Sequence, residues 1–379
     1  MAAVRDVDDV VLVRGLCKKL HALSVEPLGP LAIVDSGAIS PAAVALQRWG
    51  TSDDALALAL CKAFAVLLCD PLNQRVLADA GVIPPLVLCA KASTCIDVCV
   101  LSCVCLGNLS LDDYNQERIH GAGGLSAALR TLETYGYEAH AALAACSCIA
   151  NLSAGSTTSS ATSKSIAQPL LVALSTHAHR SDIVASALKA LFNVTCESLE
   201  NIDTVLSGGL ASISESLREF PTEQSVVEMA CGVMHNICSS SEHQARFESA
   251  GGIDVLLSAA RAHPENAVIS QYALRALACL ACRSEVARQI SQAGGYELAC
   301  CAIETHAAVA DVLLSACGIL HEFVRHNCPE IPTSSTPRAK LMELLAVGAG
   351  AAASGAAHSS DAAATQAASD ALAALRLLK

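Results

Sequence analysis

Residues 250–281, AGGIDVLLSAARAHPENAVISQYALRALACLA, decide the fold of this chain. A small residue and two glycines open the stretch, and a short apolar run follows and stops near His263 and Pro264. A longer apolar run comes next, and a third leads into another Ala-Gly-Gly at residues 293–295. Glycine suits the sharp turn between two helices, and proline cannot continue a helix. The pattern therefore predicts three helices in one unit, namely Gly252–Ala262, Asn266–Cys282 and Glu285–Gln292.

The glycine turn recurs along the chain at a nearly constant spacing. The pairs that combine a small residue with glycine are Ser36-Gly37, Ala80-Gly81, Ala122-Gly123, Ser207-Gly208, Ala250-Gly251 and Ala293-Gly294. Successive steps are 44, 42, 85, 43 and 43 residues, and the step of 85 is two periods in which residues 165–168 replace the glycine turn. A fixed period of this length indicates a repeat array, whose core is added unit by unit.

An asparagine recurs in phase with these turns. The markers Asn108, Asn151, Asn193 and Asn236 are separated by 43, 42 and 43 residues, and further steps of 43 reach Cys279 and Glu322. Relative to each marker, positions −9, −6, −5, −2 and +1 are apolar or small, which traces one face of an α-helix. Around Asn236 these positions hold Val227, Ala230, Cys231, Met234 and Ile237. We predict that this face is core and that the Asn projects to the opposite side.

The chain resembles the armadillo repeat family. The resemblance is carried by residues 250–281 and by two further segments, LGNLSLDDYNQERIHGAGGLSAAL at 106–129 and ALFNVTCESLENIDTVLSGGL at 190–210. It implies an all-α, right-handed α-solenoid of about seven three-helix repeats over residues 37–336. Residues 1–36 are then N-terminal capping helices, and residues 337–379 form a C-terminal helix, an Ala/Gly/Ser linker and a terminal amphipathic helix. The Ser/Thr-rich stretch 157–164 is predicted to be a loop lengthened by insertion.

Composition narrows the class of protein and its surroundings. The 379 residues are 53% hydrophobic but only 3% aromatic, so we expect a core of Ala, Leu, Val, Ile and Cys. The 19 cysteines lie mostly in apolar runs and no signal-peptide pattern precedes them, which predicts free thiols in the cytoplasm, with nuclear or cytoskeletal association left open. The sequence shows no membrane span. The net charge of −12 disfavours nucleic acid as a partner.

The Asn markers and the positions four and seven residues before them share one helix stripe. The resemblance implies that these Asn side chains bind the backbone of an extended partner segment in a concave groove, with Asn108, Asn151, Asn193 and Asn236 as its ladder. The alternative is that the amides bond only the ends of neighbouring helices. Met229 and Tyr272 are the predicted anchors on the stripe because few other stripe residues are large. Lys189 and Arg275 favour an acidic or phosphorylated segment, unless they are simply solvated charges.

No motif indicates catalysis, a cofactor or a metal. Cys61, Cys103, Cys146, Cys231 and Cys317 share position −5, which predicts thiols that act as small core residues. The near-match to HExxH at residues 321–326 has one residue too many to place two His side chains on one zinc ion. We therefore predict a non-catalytic scaffold or adaptor for protein partners. An importin-α-like adaptor for basic cargo, although no marker has Trp at −4, and a solenoid that binds a small regulatory ligand are the alternatives. The oligomeric state is left open.

Overall fold

The computed structural model describes residues 10–154, 166–196 and 198–329, and across these ranges every regular element is a helix. The first nine residues of the predicted N-terminal cap, the predicted loop at 157–164 and the predicted C-terminal segment 337–379 lie outside the described residues. The backbone forms two compact units, Met1–Asn201 and Ile202–Lys379. We call them unit 1 and unit 2.

Among the described residues of unit 1, twelve complete helices are formed. They are α1 Val10–Ser24, α2 Gly29–Asp35, α3 Ile39–Trp49, α4 Asp54–Leu67, α5 Asn73–Asp79, α6 Ile83–Ala92, α7 Ile96–Leu109, α8 Asp113–Gly121, α9 Gly124–Tyr135, α10 Ala139–Leu152, α11 Ala167–Thr176 and α12 Ser181–Thr195. The short helix α13, Leu199–Thr204, contains the boundary between the two units.

The described part of unit 2 continues with eight α-helices and two π-helical turns. The α-helices are α14 Leu210–Glu219, α15 Gln224–Cys238, α16 Ser241–Ser249, α17 Gly252–Ala262, α18 Ala267–Leu280, α19 Ser284–Ile290, α20 Tyr296–Thr305 and α21 Ala310–Arg325. The π-helical turns are Val205–Gly209 and Ser291–Gly295.

The helices predicted from residues 250–292 are confirmed. The first has the predicted ends, Gly252–Ala262. The second begins one residue later than predicted because Asn266 is its N-cap, and its Oδ1 accepts bonds from the backbone N–H groups of Val268 and Ile269 at 2.9 and 3.0 Å. Where a repeat is described completely, a short first helix precedes the glycine turn, a second helix follows it, and a longer third helix ends the repeat. In one such repeat these are Ser241–Ser249, Gly252–Ala262 and Ala267–Leu280.

The longer third helices pack side by side within each unit. Helices α4, α7, α10 and α12 are successive neighbours in unit 1, and α15, α18 and α21 are successive neighbours in unit 2. The predicted core positions are buried in every repeat tested, and Val227, Ala230, Cys231, Met234 and Ile237 are at most 1% exposed. The −6 position stays small because the helix backbones approach closely. The five cysteines at −5, Cys61, Cys103, Cys146, Cys231 and Cys317, are all fully buried, as predicted.

The glycine turns differ at one repeat. Gly37, Gly81, Gly123, Gly251 and Gly294 have φ between 67° and 88°, the left-handed region that favours glycine. Gly208 has no positive φ, so the sharp turn predicted there is wrong. It lies instead in the π-helical turn Val205–Gly209, which carries the chain from α13 into α14 without a left-handed residue.

The fold is an all-α repeat solenoid, as the period predicts. Its right-handed sense, the count of about seven repeats and the predicted domain limits stay predictions. Within the described ranges, no single helix is long and apolar enough to cross a membrane. In this described part of the chain, one pair of helices, α2 and α3, reaches that length and composition when taken together, although the pair is bent by 88°.

Candidate functional site

The predicted site residues lie on one stripe of each third helix, opposite the core face. The unit 1 stripe consists of Leu101, Val104 and Asn108 on α7, Ala144, Ser147 and Asn151 on α10, and Ser186, Lys189 and Asn193 on α12. The unit 2 stripe consists of Met229, Gly232 and Asn236 on α15, Tyr272, Arg275 and Cys279 on α18, and Ser315, Gly318 and Glu322 on α21. The four marker Asn side chains are half-buried, so each is both held by the protein and open to solvent.

Two marker amides of unit 1 are fixed by the preceding repeat. Asn151 Nδ2 donates to the carbonyl of Gly107 at 3.1 Å, and Asn193 Nδ2 donates to the carbonyl of Ala150 at 2.8 Å. Both amides therefore bond a neighbouring helix, and whether they also bind a partner segment stays a prediction. Each bond uses one of the two N–H donors of the amide and leaves the carbonyl oxygen uncommitted to that helix.

Lys189 extends from α12 towards the marker of the repeat before it. Its side chain is exposed, and Nζ donates to Asn151 Oδ1 at 3.4 Å. No carboxylate among the described residues forms an ion pair with it. Beside it, the hydroxyl of Ser147 donates to the hydroxyl of Ser186 at 3.2 Å. On α7, α10 and α12 the stripe therefore offers amides, hydroxyls and one cation, and it carries no acid. The corresponding position of the preceding third helix, α4, holds a second exposed cation, Lys62.

The unit 2 stripe is aromatic and charged. The Tyr272 ring stacks on His235, with centroids 6.0 Å apart and planes inclined by 21°. Burial, and to a lesser extent the charge of Arg275, lowers the pKa of His235 to about 4, so the imidazole is neutral at neutral pH. Met229 is half-buried on the neighbouring helix and Arg275 is exposed. His235 was missed from the sequence, although its place directly before a marker Asn was a usable signal.

Glu322 occupies the marker position of the last described repeat. Its side chain is 12% exposed, and its carboxylate lies 3.4, 3.3 and 3.5 Å from His321, Arg325 and His326. Burial alone would raise the pKa of Glu322, but the hydrogen bond from His321 and the three neighbouring charges outweigh it and lower the pKa. The stripe of α21 therefore presents a carboxylate that the protein itself already neutralises.

A second series of amide residues, which sequence reasoning missed, includes members that bond to a neighbouring repeat. It lies eight residues after the marker position, and its members are Gln74, Gln116, Asn201 and Gln244, at steps of 42, 85 and 43. Gln116 Nε2 donates to the carbonyls of Asn151 and Ala154 at 2.8 and 2.7 Å. Gln244 Nε2 donates to the carbonyls of Cys238 and Cys279 at 2.9 and 3.3 Å. These amides donate to carbonyls at the ends of third helices, where intrahelical N–H partners run out. Their spacing, the same as that of the markers, was the available signal.

A histidine series does the same at the ends of second helices. The ring Nε2 atoms of His177, His263 and His306 lie 2.7, 2.6 and 2.8 Å from the carbonyl oxygens of Gly136, Pro221 and Pro264. Each histidine thus reaches back one repeat, and the His263 and His306 pairs both lie in unit 2. The two amide positions and this histidine position show how polar side chains fix the register of successive repeats.

The cysteines and acids do not form a metal centre in the part of the chain that the structure describes. No three His, Cys, Asp or Glu side chains there are arranged to hold an ion. Cys279 and Cys282, the lone CxxC, sit at the end of α18, where Cys282 Sγ donates to the carbonyl of Ala278 at 3.7 Å.

Comparisons with known proteins agree with the repeat. A family model described as LRRK2 ARM repeat matches residues 162–377, and one described as Armadillo/beta-catenin-like repeat matches residues 70–111. No curated protein matches the chain.

Solved structures match over nearly the whole chain. A crystal structure of an engineered protein has a TM-score of 0.68 at 19% identity, covering 99% of this chain and 97% of its own. A structure from work on a phosphorylation switch in the interaction between cadherin and beta-catenin has a TM-score of 0.65 at 17% identity, covering 99% of this chain and 93% of its own. At these identities the likeness concerns the fold.

Proposed function

Because this chain belongs to the LRRK2 ARM repeat family, we propose that it is a non-catalytic scaffold that holds segments of partner proteins along the stripes of its third helices. Repeat proteins of this architecture offer long exposed helix faces, and their functions depend on what those faces bind. The proposed place of action is the cytoplasm, where the 19 cysteines stay as free thiols.

One observation supports the proposal: all four marker amides are half-buried, and those of Asn151 and Asn193, one repeat apart, are each held in a fixed orientation by a bond to the preceding repeat. Asn193 donates one N–H to the Ala150 carbonyl, and its oxygen makes no bond to the described residues. An amide offers a donor and an acceptor, which match the carbonyl and N–H of one peptide unit. Since the orientation is set before a partner arrives, binding loses less side-chain entropy.

The unit 2 stripe adds the larger side chains that a binding face needs. Met229 and the stacked pair of Tyr272 and His235 supply apolar and aromatic surface, and such residues dominate binding energy at protein interfaces. A structural neighbour comes from work on the interaction between cadherin and beta-catenin, which supports segment binding as a use of this fold. Basic cargo suits the stripes less well, because Lys189 and Arg275 would repel it and no marker has Trp at −4.

The test removes the marker amides and keeps the fold. We expect full-length protein to select peptides from a random library displayed on phage, and the triple variant Asn151→Ala, Asn193→Ala, Asn236→Ala to lose them. The control variant, Gln116→Ala with Gln244→Ala, removes amides that bond helix ends but lie off the stripes, so it should lose stability and retain the peptides.

Circular dichroism establishes that both variants remain helical. Retention of the selected peptides by the triple Asn variant, at the affinity of the unaltered protein, would count against the proposal. Equal loss in both variants would also count against it, because the amides would then act only through stability.

A further inference from the structure

Lys189 covers the acceptor that a partner backbone would need at Asn151. Its Nζ lies 3.4 Å from Asn151 Oδ1, longer than the 2.7–3.2 Å of an ordinary hydrogen bond. The ammonium is exposed and strongly hydrated, so this bond is weak and easily exchanged. Oδ1 has two lone pairs, but a full positive charge on one of them disfavours a second N–H donor. The contact therefore discourages backbone binding at Asn151 while Lys189 stays there.

The amide itself is not free to turn away from the lysine. Asn151 Nδ2 is bonded to the Gly107 carbonyl at 3.1 Å, which fixes the side of the amide that carries the oxygen. Lys189, by contrast, has a flexible four-carbon stem and can move without disturbing the helix. Of the two groups, Lys189 is the one that must move when a partner approaches.

Nothing on the unit 1 stripe can draw Lys189 aside. None of the stripe residues is acidic. The carboxylate nearest along the same face of α12 is that of Asp182, two turns earlier, and Arg180 Nε and Nη2 occupy its two oxygens at 3.0 and 2.7 Å. The anion must come from the partner. A chain of net charge −12 repels acidic segments in general. Because Lys189 is the one cation on the stripe of α7, α10 and α12, it fixes where a partner lying along these three helices can place its acid.

We infer that the unit 1 stripe binds an extended segment that carries a carboxylate or phosphate, and that this anion draws Lys189 away from Asn151 Oδ1. We call Lys189 a latch in this sense: it covers the Asn151 acceptor until an anionic segment binds. The inference rests on the proposed function, because it names the partner chemistry of that same stripe. In the bound state the anion pairs with Nζ, and Oδ1 accepts a backbone N–H of the same segment. Acid recognition and backbone recognition are thereby coupled through one amide.

The experiment uses the full chain and peptides selected on it from a random library. Each selected peptide is synthesised with its acidic residue, with Gln in its place and with phosphoserine in its place. Binding is measured by fluorescence anisotropy to the unaltered protein, Lys189→Met and Asn151→Ala. Lys91→Met is the control, because Lys91 is an exposed lysine of the same unit on the second helix α6.

The inference predicts effects that depend on the peptide. Lys189→Met should weaken the acidic and phosphorylated forms about tenfold, since it removes a charge-assisted bond. The same substitution should leave the Gln form unchanged or slightly tighter, because Asn151 Oδ1 is uncovered. Asn151→Ala should weaken the acidic and phosphorylated forms and affect the Gln form least, because only a bound anion uncovers Asn151 Oδ1. Lys91→Met should weaken none of the three forms. Tighter binding of the phosphoserine form than of the Glu form would identify phosphate as the preferred anion.

Two results would contradict the role of Lys189 as a latch but leave the proposed scaffold function intact. One is equal weakening of the acidic and Gln forms by Lys189→Met. The other is selection of peptides with no acid at a fixed position by a protein whose triple Asn variant loses them. Failure to select any peptide that depends on the marker amides would overturn the proposed function and, with it, the latch.

Discussion

Substitution by alanine should have opposite effects on stability at two glycines of unit 2. Both glycines are exposed, and they occupy equivalent places in successive repeats. Gly251 has φ +78° and Gly208 has no positive φ, yet an added Cβ would meet nothing within 4 Å at either position. Steric contact is thus absent from both substitutions, and only the backbone conformation distinguishes them. We predict that Gly251→Ala destabilises the protein and that Gly208→Ala stabilises it.

The magnitudes follow from the two conformations. A left-handed alanine costs about 1–2 kcal/mol, and the smaller entropy of its unfolded chain returns about 0.4–1 kcal/mol, so Gly251→Ala should lose about 1 kcal/mol. Gly208 lies in a helical turn, where replacing glycine by alanine gains about 0.5–1 kcal/mol. The two variants should therefore differ by about 2 kcal/mol, or ~4–8 °C in Tm for a unit of this size.

Thermal unfolding followed by circular dichroism measures the difference, and hydrogen exchange across α16 and α17 assigns it to the altered region. As a steric control, Gly252→Ala should lose much more, because its Cβ would lie 2.2 Å from the Phe247 ring. Shifts of the same sign for Gly251→Ala and Gly208→Ala would refute the assignment of different turns to the two repeats.

Three further predictions concern buried polar groups. Gln116→Ala should cost about 2 kcal/mol in urea unfolding, since it removes two short hydrogen bonds, whereas Glu117→Ala, an exposed neighbour, should cost almost nothing. His235 should titrate near pH 4 by NMR, and because its pKa is lowered the unfolded chain takes up the proton first. Its contribution should make stability fall between pH 6.5 and 4, and His235→Gln should flatten that fall; an unchanged slope would contradict the burial assigned to it. His306→Ala should lower Tm more than His306→Gln, whose amide can still reach the Pro264 carbonyl, and equal losses would exclude the hydrogen bond as the cause.

The repeat and its core were predictable because both depend on local periodicity. An apolar face with helical spacing is buried in any stack of helices, so Cys231 and Ala230 could be assigned to the core from their distance to Asn236 alone. A prediction that failed concerns a turn. Gly208 has the right neighbours, but no short-range signal shows whether such a glycine has a positive φ, as Gly294 does within the other π-helical turn.

The partners of polar side chains were less predictable, because they depend on groups about one repeat away in sequence. The marker stripe could be recognised from the sequence. The bond from Asn151 to the Gly107 carbonyl could not, because it depends on how far one helix is shifted along its axis relative to the other. The bond from His306 to the Pro264 carbonyl was hidden for the same reason. In the sequence alone, His306 and Pro264 are each typical of the end of a helix and give no sign that they bond to each other. The binding roles of Asn108, Asn236, Met229 and Arg275 stay predictions that the peptide experiments address.

The cysteines at position −5 give this chain a built-in set of reporters on local opening. Cys61, Cys146, Cys231 and Cys317 are fully buried in four different third helices, and burial raises the pKa of Cys146, Cys231 and Cys317 to about 12. An alkylating reagent can modify such a thiol only after its helix detaches, whereas Cys69, Cys196, Cys282 and Cys301 are exposed from the start. Timed alkylation read by peptide mass spectrometry would therefore rank the repeats by their opening free energies, without any engineered label, and would show which repeats a bound partner holds shut.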